Sequence, residues 1–451
     1  MPFARLHQTF FFRSHKRPFS VTTSRDQWLS KLGLGGGWGA RKPLQPRVFP
    51  TSGFKLIDAS KTLEEEWFND GVKCFYPVRL GEVFQNRYQV VAKIGCGACS
   101  TTWLGHDLQS LGRDHTYVSL KVHRNDLQHS RELEIYEHIK KHTAHLSSYH
   151  IRPVHEFFRI EGQYRDHDVM VQTPLTIAVS HLQRFILSGN VFTPHLAKAV
   201  VQRVLRSLDF LHSDAHVIHS GKFHCSREAR YIHSENLLMG CKNRDDRDRY
   251  FAQVEEAELN NPVPRKVMKD KTIYVTQVLN GPIDEVYLCD FGQARIGGEG
   301  SGDPGPVFQR APEVILDMKW SYSIDLWNVG LLAWEMLHGE RLFEQYDRKY
   351  TWLNDAHHLA NMIALLGPPP LDFLNRNKTY LQFWREGGDW RGIVPIPRKR
   401  TFESLDLSLM GEEKARFLDF LRALLCWAPE KRLTAKQALS HPWLTAPTDN
   451  P

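Results

Sequence analysis

One short run, residues 288–295, constrains the fold of this chain more than any other. The apolar residues 286–289 predict a strand that ends at the carboxylate of Asp290, and Gly292 allows a sharp turn soon after it. Carboxylate oxygens are ligands that hard cations such as Mg²⁺ prefer. The tripeptide Asp290-Phe291-Gly292 is short enough to arise by chance, so its meaning depends on the elements around it.

A glycine-rich hairpin precedes this run by almost 200 residues. Residues 88–94 show the side-chain alternation and the β-branched residues that are typical of a strand. A second strand is predicted at residues 101–104. Gly95 and Gly97 lie in the turn between them, where bare backbone N–H groups could approach phosphate oxygens. A dinucleotide-binding glycine loop would lead into a helix, so that alternative is disfavoured.

A single lysine, Lys121, interrupts an apolar strand predicted at residues 117–122. A half-buried lysine needs an anionic partner, although a lysine at a strand edge that extends to solvent is the simpler alternative. The helix predicted at residues 131–139 places Glu132 beside its apolar face. Glu132 is therefore a candidate partner that would hold Lys121 against phosphate oxygens.

These residues and three later ones follow the order of protein-kinase signatures. The chain resembles protein kinases over about residues 80–445, and within them it most resembles the SR-protein kinases and their fungal relatives. The closer resemblance rests on residues 76–81, residues 97–104 and the insertion before Asp290. The signatures, in chain order, are Gly95-x-Gly97-x-x-Ser100, Lys121, Glu132, Asn236, Asp290-Phe291-Gly292 and Ala311-Pro312-Glu313.

The resemblance implies an α+β, bilobed protein-kinase fold. Residues 88–175 would form a small β-rich N-terminal lobe and residues 176–445 a larger, mainly helical C-terminal lobe. An N-terminal extension would occupy residues 51–87. The charged insertion at about residues 241–285 is expected to be a loop packed outside the second lobe, with a partner-docking segment as the alternative.

The resemblance also implies an ATP-dependent serine/threonine kinase with ATP and Mg²⁺ as cofactors. Lys121 and Glu132 would orient the phosphates, and Asn236 and Asp290 would bind Mg²⁺. These four are the residues implied to act in catalysis. The residues implied to contact the nucleotide are Ile94, Gly95, Gly97, Ser100, Lys121 and Leu175.

The catalytic loop departs from the family pattern, His-x-Asp-x-x-x-x-Asn. Gly221 stands where Asp is expected after His219, and counting back from Asn236 places Tyr231 at that position. Residues 221–230 are ten too many and contain no Asp. Either the protein is a nucleotide-binding pseudokinase or scaffold, or the functional protein lacks this segment, as it would if an intron were retained. The intact flanks favour the second explanation.

Three structural expectations concern the segment after Asp290. Asp325 resembles the residue that braces the catalytic-loop backbone, and Glu313 is expected to form an ion pair with Arg432. Between residues 296 and 306 the only hydroxyl group belongs to Ser301. The arginine that would bind a phosphate there is also missing beside His219, so activation by phosphorylation of this segment is not expected.

The positive charge is concentrated in the first 50 residues. They hold nine Lys and Arg against one acidic residue, Asp26, so the rest of the chain is close to neutral and does not indicate a direct nucleic-acid partner. Residues 1–25 are Arg-rich, Ser-rich and free of acid, which is typical of a mitochondrial transit peptide, with a disordered basic tail as the alternative. Residues 33–50 predict a linker. The family resemblance instead implies a cytoplasmic or nuclear protein.

Partners and alternative ligands are constrained less tightly. The resemblance implies a protein substrate with its hydroxyl in an Arg/Ser-rich context, and a monomeric enzyme. The longest apolar run, residues 329–334, is too short to cross a bilayer. The seven scattered cysteines indicate a reducing, intracellular compartment. A zinc or redox site at Cys96-x-x-Cys99 and a metal site in the histidine-rich residues 212–225 are both disfavoured.

Overall fold

The computed structural model describes a β-sheet lobe followed by a mainly helical lobe, as the sequence predicted. The described residues are 44–68, 74–110, 116–126, 131–163, 165–220, 234–302, 307–344, 350, 353–406 and 408–447. The predicted tail at residues 1–25 and the excess catalytic-loop segment at residues 221–230 therefore lie outside the described part of the chain.

Six antiparallel strands form the sheet of the first lobe, in the order β1-β2-β3-β4-β6-β5. Successive residues of a strand point to opposite faces, so Val90 of strand β2 packs in a cluster with Val118, whereas Val91 packs with Leu104 on the other face. The bounds are β1 Val83–Phe84, β2 Tyr88–Gly97, β3 Ser100–Asp107, β4 Tyr117–His123, β5 Val154–Ile160 and β6 His167–Gln172, with helix α1 at Arg131–Lys140.

The second lobe is built around two packed helices. Helix α6 is apolar on nearly all sides and is almost entirely buried, which is the pattern of a central helix. Helix α3 packs against it, and Val204 and Leu208 of α3 are buried in the same cluster as the apolar residues of α6. Its helices are α2 Val179–Phe185, α3 Pro194–Ser213, α4 Arg244–Asn260, α5 Pro312–Ile315, α6 Ser323–His338, α7 Leu353–Leu366, α8 Leu371–Leu374, α9 Phe402–Leu405, α10 Gly411–Leu424, α11 Ala435–Leu439 and α12 Pro442–Thr445.

Short antiparallel strand pairs occur in the second lobe and in the insertion. Strand β8 pairs with β11, β7 with β12, β9 with β10 and β13 with β14. The first two pairs carry the residues on either side of the candidate site. Their bounds are β7 Val217–Ile218, β8 Leu237–Gly240, β9 Arg265–Val267, β10 Thr272–Tyr274, β11 Glu285–Leu288, β12 Arg295–Ile296, β13 Glu299–Gly300 and β14 Trp320–Ser321.

The expectation that residues 241–285 form a loop was wrong, whereas they do lie outside the core of the second lobe. They contain helix α4 and the β9–β10 hairpin, and they pack on the first lobe. Phe251 and Val254 of α4 are buried in one cluster with Leu104 of the sheet and Phe49 of the predicted linker. The insertion therefore connects the second lobe to the first.

The polar composition of helix α4 explains this error. Its buried face includes Glu255 and Glu258, which an apolar pattern cannot reveal. Each carboxylate is stabilised by a partner from outside the helix: Glu255 accepts a hydrogen bond of 2.5 Å from the Tyr117 hydroxyl, and Glu258 pairs with Arg265 at 3.0 Å. Buried charge of this kind is tolerated only when such partners are present.

The N-terminal extension is bound to the glycine-rich hairpin through a buried lysine. Lys93 of strand β2 has no exposed side-chain surface, and its Nζ lies 2.6 Å from Glu64 and 2.8 Å from Glu65. Burial alone would lower the pKa of Lys93, but these carboxylates more than offset it, and the pKa is raised. The N-terminal extension and helix α4 of the insertion thus both contact strand β2.

Replacing Tyr117 by Phe is expected to lower the free energy of unfolding by about 1–3 kcal/mol, because a hydrogen bond to a buried charged group is lost. Tyr88→Phe is the matched control. The Tyr88 hydroxyl also donates to a carboxylate, that of Glu156 at 2.7 Å, but this side chain is 41% exposed, whereas that of Glu255 is 2% exposed. Urea unfolding followed by tryptophan fluorescence measures both losses. Equal losses would show that the insertion is not closely packed on the sheet.

Candidate active site

Asn236 and Asp290 are brought together by the pairing of two strands. Strands β8 and β11 are antiparallel with Leu237 opposite Leu288, so the start of one lies beside the end of the other. The Cys289 N–H donates to the Asn236 carbonyl oxygen at 2.9 Å. Asp290 then adopts a left-handed backbone conformation with φ of +63°, which is uncommon for a residue other than glycine and turns the chain sharply after the strand.

Lys121 lies between two carboxylates, one from each lobe. Its Nζ donates to Glu132 Oε2 at 2.6 Å and lies 3.5 Å from Asp290 Oδ1. All three side chains are largely buried, with exposed fractions of 11%, 4% and 16% respectively. The predicted partnership of Lys121 with Glu132 is therefore present, and the same ammonium group also faces Asp290.

The side chain of Phe291 is enclosed by aromatic rings from both lobes. It is fully buried and forms edge-to-face contacts with Tyr136, at a centroid distance of 5.0 Å, and with His219 at 5.1 Å. Such contacts each stabilise the arrangement by about 0.5–1.5 kcal/mol. Tyr136 lies one helical turn after Glu132 in α1, so this packing fixes the helix that supplies Glu132. No local sequence pattern indicates this partner of Tyr136.

Asp325 braces the backbone before the interrupted loop, as predicted. Its two carboxylate oxygens accept hydrogen bonds of 2.9 Å from the N–H groups of His219 and Ser220, and from the His212 ring. Burial alone would raise the pKa of Asp325, but the hydrogen bonds and the nearby imidazoles hold it below its ordinary value. The carboxylate therefore remains a charged anchor.

His219 acts as a neutral, structural residue in this arrangement. Burial lowers its pKa, and the ring donates from Nε2 to the Cys289 carbonyl oxygen at 3.2 Å. Its ring thus links the start of the interrupted loop to the residue before Asp290. Gly221, Tyr231 and His233, which follow in the loop, lie outside the described residues.

Most of the predicted nucleotide-contact residues lie on strands β2, β3 and β4, and Leu175 follows the end of strand β6 by three residues. Gly97 pairs with Ser100 across the hairpin, and a Cβ atom at Gly95 would come within 3.3 Å of Thr102, closer than most side-chain contacts. Ile94 is half-buried against the cluster around Phe251. Leu175 is buried against Cys289, next to Asp290.

The alternative metal sites gain no support from the described residues. The one group there with metal-binding spacing is Glu64, Glu65 and Cys96, whose two carboxylates bind Lys93 instead. His212 and His219 make the hydrogen bonds given above, and Cys96 and Cys99 are not joined by a disulfide. No helix in the described ranges has the length and hydropathy needed to cross a membrane.

A buried ion pair fixes the far end of the segment that begins at Asp290. Glu313 accepts two hydrogen bonds of 2.6 Å from the guanidinium of Arg432, and neither side chain has any exposed surface. This confirms the predicted pair. Arg432 also donates to the carbonyl oxygens of Ser323 and Cys426. Helix α5 is thereby joined to the start of α6 and to the residues between α10 and α11.

Known protein kinases are similar to this chain in sequence. Residues 269–444 match the family model described as protein kinase domain. A serine/threonine protein kinase of Aspergillus fumigatus is 35% identical over 413 residues, covering 90% of this chain and 96% of the relative. The serine/threonine-protein kinase SRPK of Physarum polycephalum is 26% identical, covering 86% of this chain and 92% of that one.

A solved structure shows the same fold. The crystal structure of a kinase domain aligns with a TM-score of 0.57 at 20% identity, covering 82% of this chain and 99% of the solved one. The fold, the order of the signatures and a relative that matches nearly the whole chain all agree. The chain therefore belongs to the eukaryotic protein kinase superfamily, and its relatives include an SR-protein kinase.

Proposed function

We propose that this protein is an ATP- and Mg²⁺-dependent serine/threonine kinase of the SR-protein kinase type, which phosphorylates hydroxyls in Arg/Ser-rich protein segments. The observation that supports it most is the contact of Lys121 with both Glu132 and Asp290 at 2.6 and 3.5 Å. In the proposed site, one ammonium group and one carboxylate suited to a metal ion would meet the phosphates of a nucleotide.

The side chains present suit Mg²⁺ and a nucleotide. Asp290 and Asn236 supply the carboxylate and amide oxygens that a hard cation prefers, and Lys121 supplies a cation for phosphate oxygens. Bound Mg²⁺ would neutralise the charge that develops on the transferring phosphate. Glu132 holds Lys121 in place, while Gly95, Gly97 and Ser100 would cover the phosphates. Ile94 and Leu175 would contact the base.

Binding of ATP to the unaltered chain tests the proposed nucleotide-binding half of the site. Wild-type protein should bind ATP in an Mg²⁺-dependent manner by isothermal titration calorimetry. Asp290→Asn should lose the Mg²⁺ dependence, and Lys121→Met should weaken binding about 10- to 100-fold, because a charge-assisted hydrogen bond is removed. Lys319→Met is the matched control, because Lys319 is 79% exposed and is not one of the proposed nucleotide-site residues. Equal affinity in all four proteins would refute the proposed nucleotide site.

The second candidate is a nucleotide-binding pseudokinase that acts as a scaffold. The absence of Asp between His219 and Asn236 favours it, because Tyr231 is protonated at neutral pH and cannot take a hydroxyl proton. Sequencing the mature transcript across this region separates the two functions. A product that reads His-x-Asp supports the kinase, whereas a retained segment together with no phosphotransfer supports the scaffold.

Ser301→Ala is expected to change the phosphotransfer rate by less than about twofold, as for an ordinary surface substitution. Ser301 is exposed, and Ser220 occupies the position beside His219 where the family's phosphate-binding arginine would stand. The rate is measured on the form of the chain that transfers phosphate, before and after phosphatase treatment. A large loss in Ser301→Ala, reproduced by the phosphatase, would show that this segment is a phosphorylation switch after all.

A further inference from the structure

A second cleft lies away from the candidate active site and is strongly basic. Its volume is about 1060 Å³, and it is formed by the loop after helix α1, by the middle of helix α3 and by the start of the insertion. None of Lys121, Glu132, Asn236 and Asp290 contributes to its walls. Its charged lining consists of five cations and one acid, namely Lys140, Arg203, Arg206, Lys242, Arg247 and Glu285.

Glu285, the single carboxylate of the cleft, already contacts two side chains of the lining. Glu285 Oε2 lies 3.1 Å from Arg203 Nε and 3.3 Å from His150 Nδ1. Arg247 lies 3.5 Å from Asp248, its neighbour in the chain. These contacts leave the lining with an excess of positive charge. A concave surface of one sign concentrates the field and attracts counter-ions of the opposite sign.

Two cations of the lining are exposed to solvent. Arg206 on helix α3 and Lys242 at the start of the insertion are both exposed, and no side-chain partner is found for either among the described residues. The nearby Asp284 uses its carboxylate for the backbone N–H of Lys242, not for its ammonium group. Arg206 and Lys242 are therefore the residues best placed to meet an incoming anion.

The histidines and hydroxyls of the cleft add hydrogen-bonding groups. His145, His155 and Thr173 line it, and the His155 ring is held by Thr173 Oγ1 at 3.0 Å. Phosphate and sulfate groups accept several hydrogen bonds at once, so a lining of arginine, lysine, histidine and hydroxyl groups matches them well.

We propose that this cleft binds a compact, multiply phosphorylated small molecule. Its volume is in the range of small-molecule sites and exceeds what one phosphate fills. Five cations against one acid indicate a ligand with several negative charges. A single cleft of this volume favours a compact ligand over an extended peptide. The site is built from both lobes, because α1 and its following loop belong to the first and α3 to the second.

Titration calorimetry of the full chain without Mg²⁺ tests the proposal, with inositol hexakisphosphate and tripolyphosphate as probes. The double variant Arg206→Glu/Lys242→Glu should bind them at least about tenfold more weakly, and added salt should weaken binding to the wild type. Lys378→Glu/Arg385→Glu is the matched control: it changes the net charge equally at two other exposed positions and should bind normally. Lys121→Met should retain binding, which separates this cleft from the nucleotide site.

Circular dichroism establishes that each variant is folded before its affinity is compared. Absence of saturable binding of both probes below about 1 mM would overturn the proposal, since that is the weak limit of a specific site. Equal weakening by both double variants would also overturn it, because the effect would then follow net charge alone. A doubly phosphorylated peptide that binds more tightly than both probes, with the same dependence on Arg206 and Lys242, would reject the proposed ligand class.

Discussion

Deleting residues 221–230 and replacing Tyr231 by Asp is expected to raise the phosphotransfer rate of the chain by about 10²- to 10⁴-fold, the contribution of a positioned general base. The deletion gives the spacing His219-x-x-x-x-x-x-Asn236 that the family resemblance implies, and the substitution supplies the missing carboxylate. A radiolabelled-phosphate assay on an Arg/Ser-rich peptide measures the rate.

The structure supports this expectation because both ends of the loop are held. Asp325 fixes the N–H groups of His219 and Ser220 at 2.9 Å, and the carbonyl oxygen of Asn236 is bonded to the residue before Asp290. A segment of the family length would therefore start and finish on fixed positions. Fixed ends reduce the conformational entropy that the shortened loop must lose.

Two controls separate the length of the loop from its chemistry. The deletion with Tyr231 unchanged restores the length without a carboxylate, and Tyr231→Asp in the full-length chain supplies a carboxylate without the length. Both should stay near the rate of the chain as written. Adding Asp290→Asn to the restored variant should abolish the gain. Rapid transfer by the unaltered chain would show that another group serves as the base.

ATP binding is also measured for the restored variant, because it shows whether the nucleotide site has survived the deletion. If the variant binds Mg²⁺–ATP as the unaltered chain does but transfers no phosphate, the assignment of residues 221–230 as an excess segment is wrong. The protein would then be a nucleotide-binding scaffold. If ATP binding is also lost, the deletion has disturbed Asn236, and the ATP affinities of the two control variants show which change is responsible.

The sequence predicted the contact of Lys121 with Glu132 well, because short-range patterns specify it. A strand with one buried lysine predicted a carboxylate partner, and Glu132 proved to be that partner. The position of Asp290 at a strand end followed from the apolar run before it. What no local pattern specified was the pairing of strands β8 and β11, which are separated by the whole insertion yet place Asn236 next to Asp290.

The sequence failed where burial depends on partners far away in the chain. Helix α4 was missed because its buried positions include charged residues, and their stability depends on Tyr117 and Arg265. Phe49 was assigned to a linker, yet it is buried against the sheet, because its neighbours come from strands β2 and β3 and from the insertion. The ring of Tyr136 likewise acquires its role only when Phe291 is placed beside it.

Arg432→Met is expected to lower the free energy of unfolding by about 3–5 kcal/mol, the usual cost of leaving one partner of a buried ion pair uncompensated. Glu313 has no exposed surface and would lose both of its 2.6 Å hydrogen bonds. Arg376→Met is the matched control. Arg376 also donates two hydrogen bonds to a glutamate, Glu430, but these side chains are 36% and 55% exposed. Water can replace the lost contacts there, so the loss should be below about 1 kcal/mol.

The double variant Glu313→Leu/Arg432→Met distinguishes the contribution of the intact ion pair to stability from the cost of leaving one charged partner buried alone. Removing both charges leaves no buried carboxylate to desolvate, so the double variant should be more stable than Arg432→Met alone. Some loss should remain, because Arg432 also donates to the carbonyl oxygens of Ser323 and Cys426, which join helix α5 to the rest of the lobe. Urea unfolding of the wild type, Glu313→Leu, Arg432→Met and the double variant gives the comparison. If the double variant loses as much as the sum of its two single variants, the charges act independently, and the pair does not hold the segment after Asp290 in place.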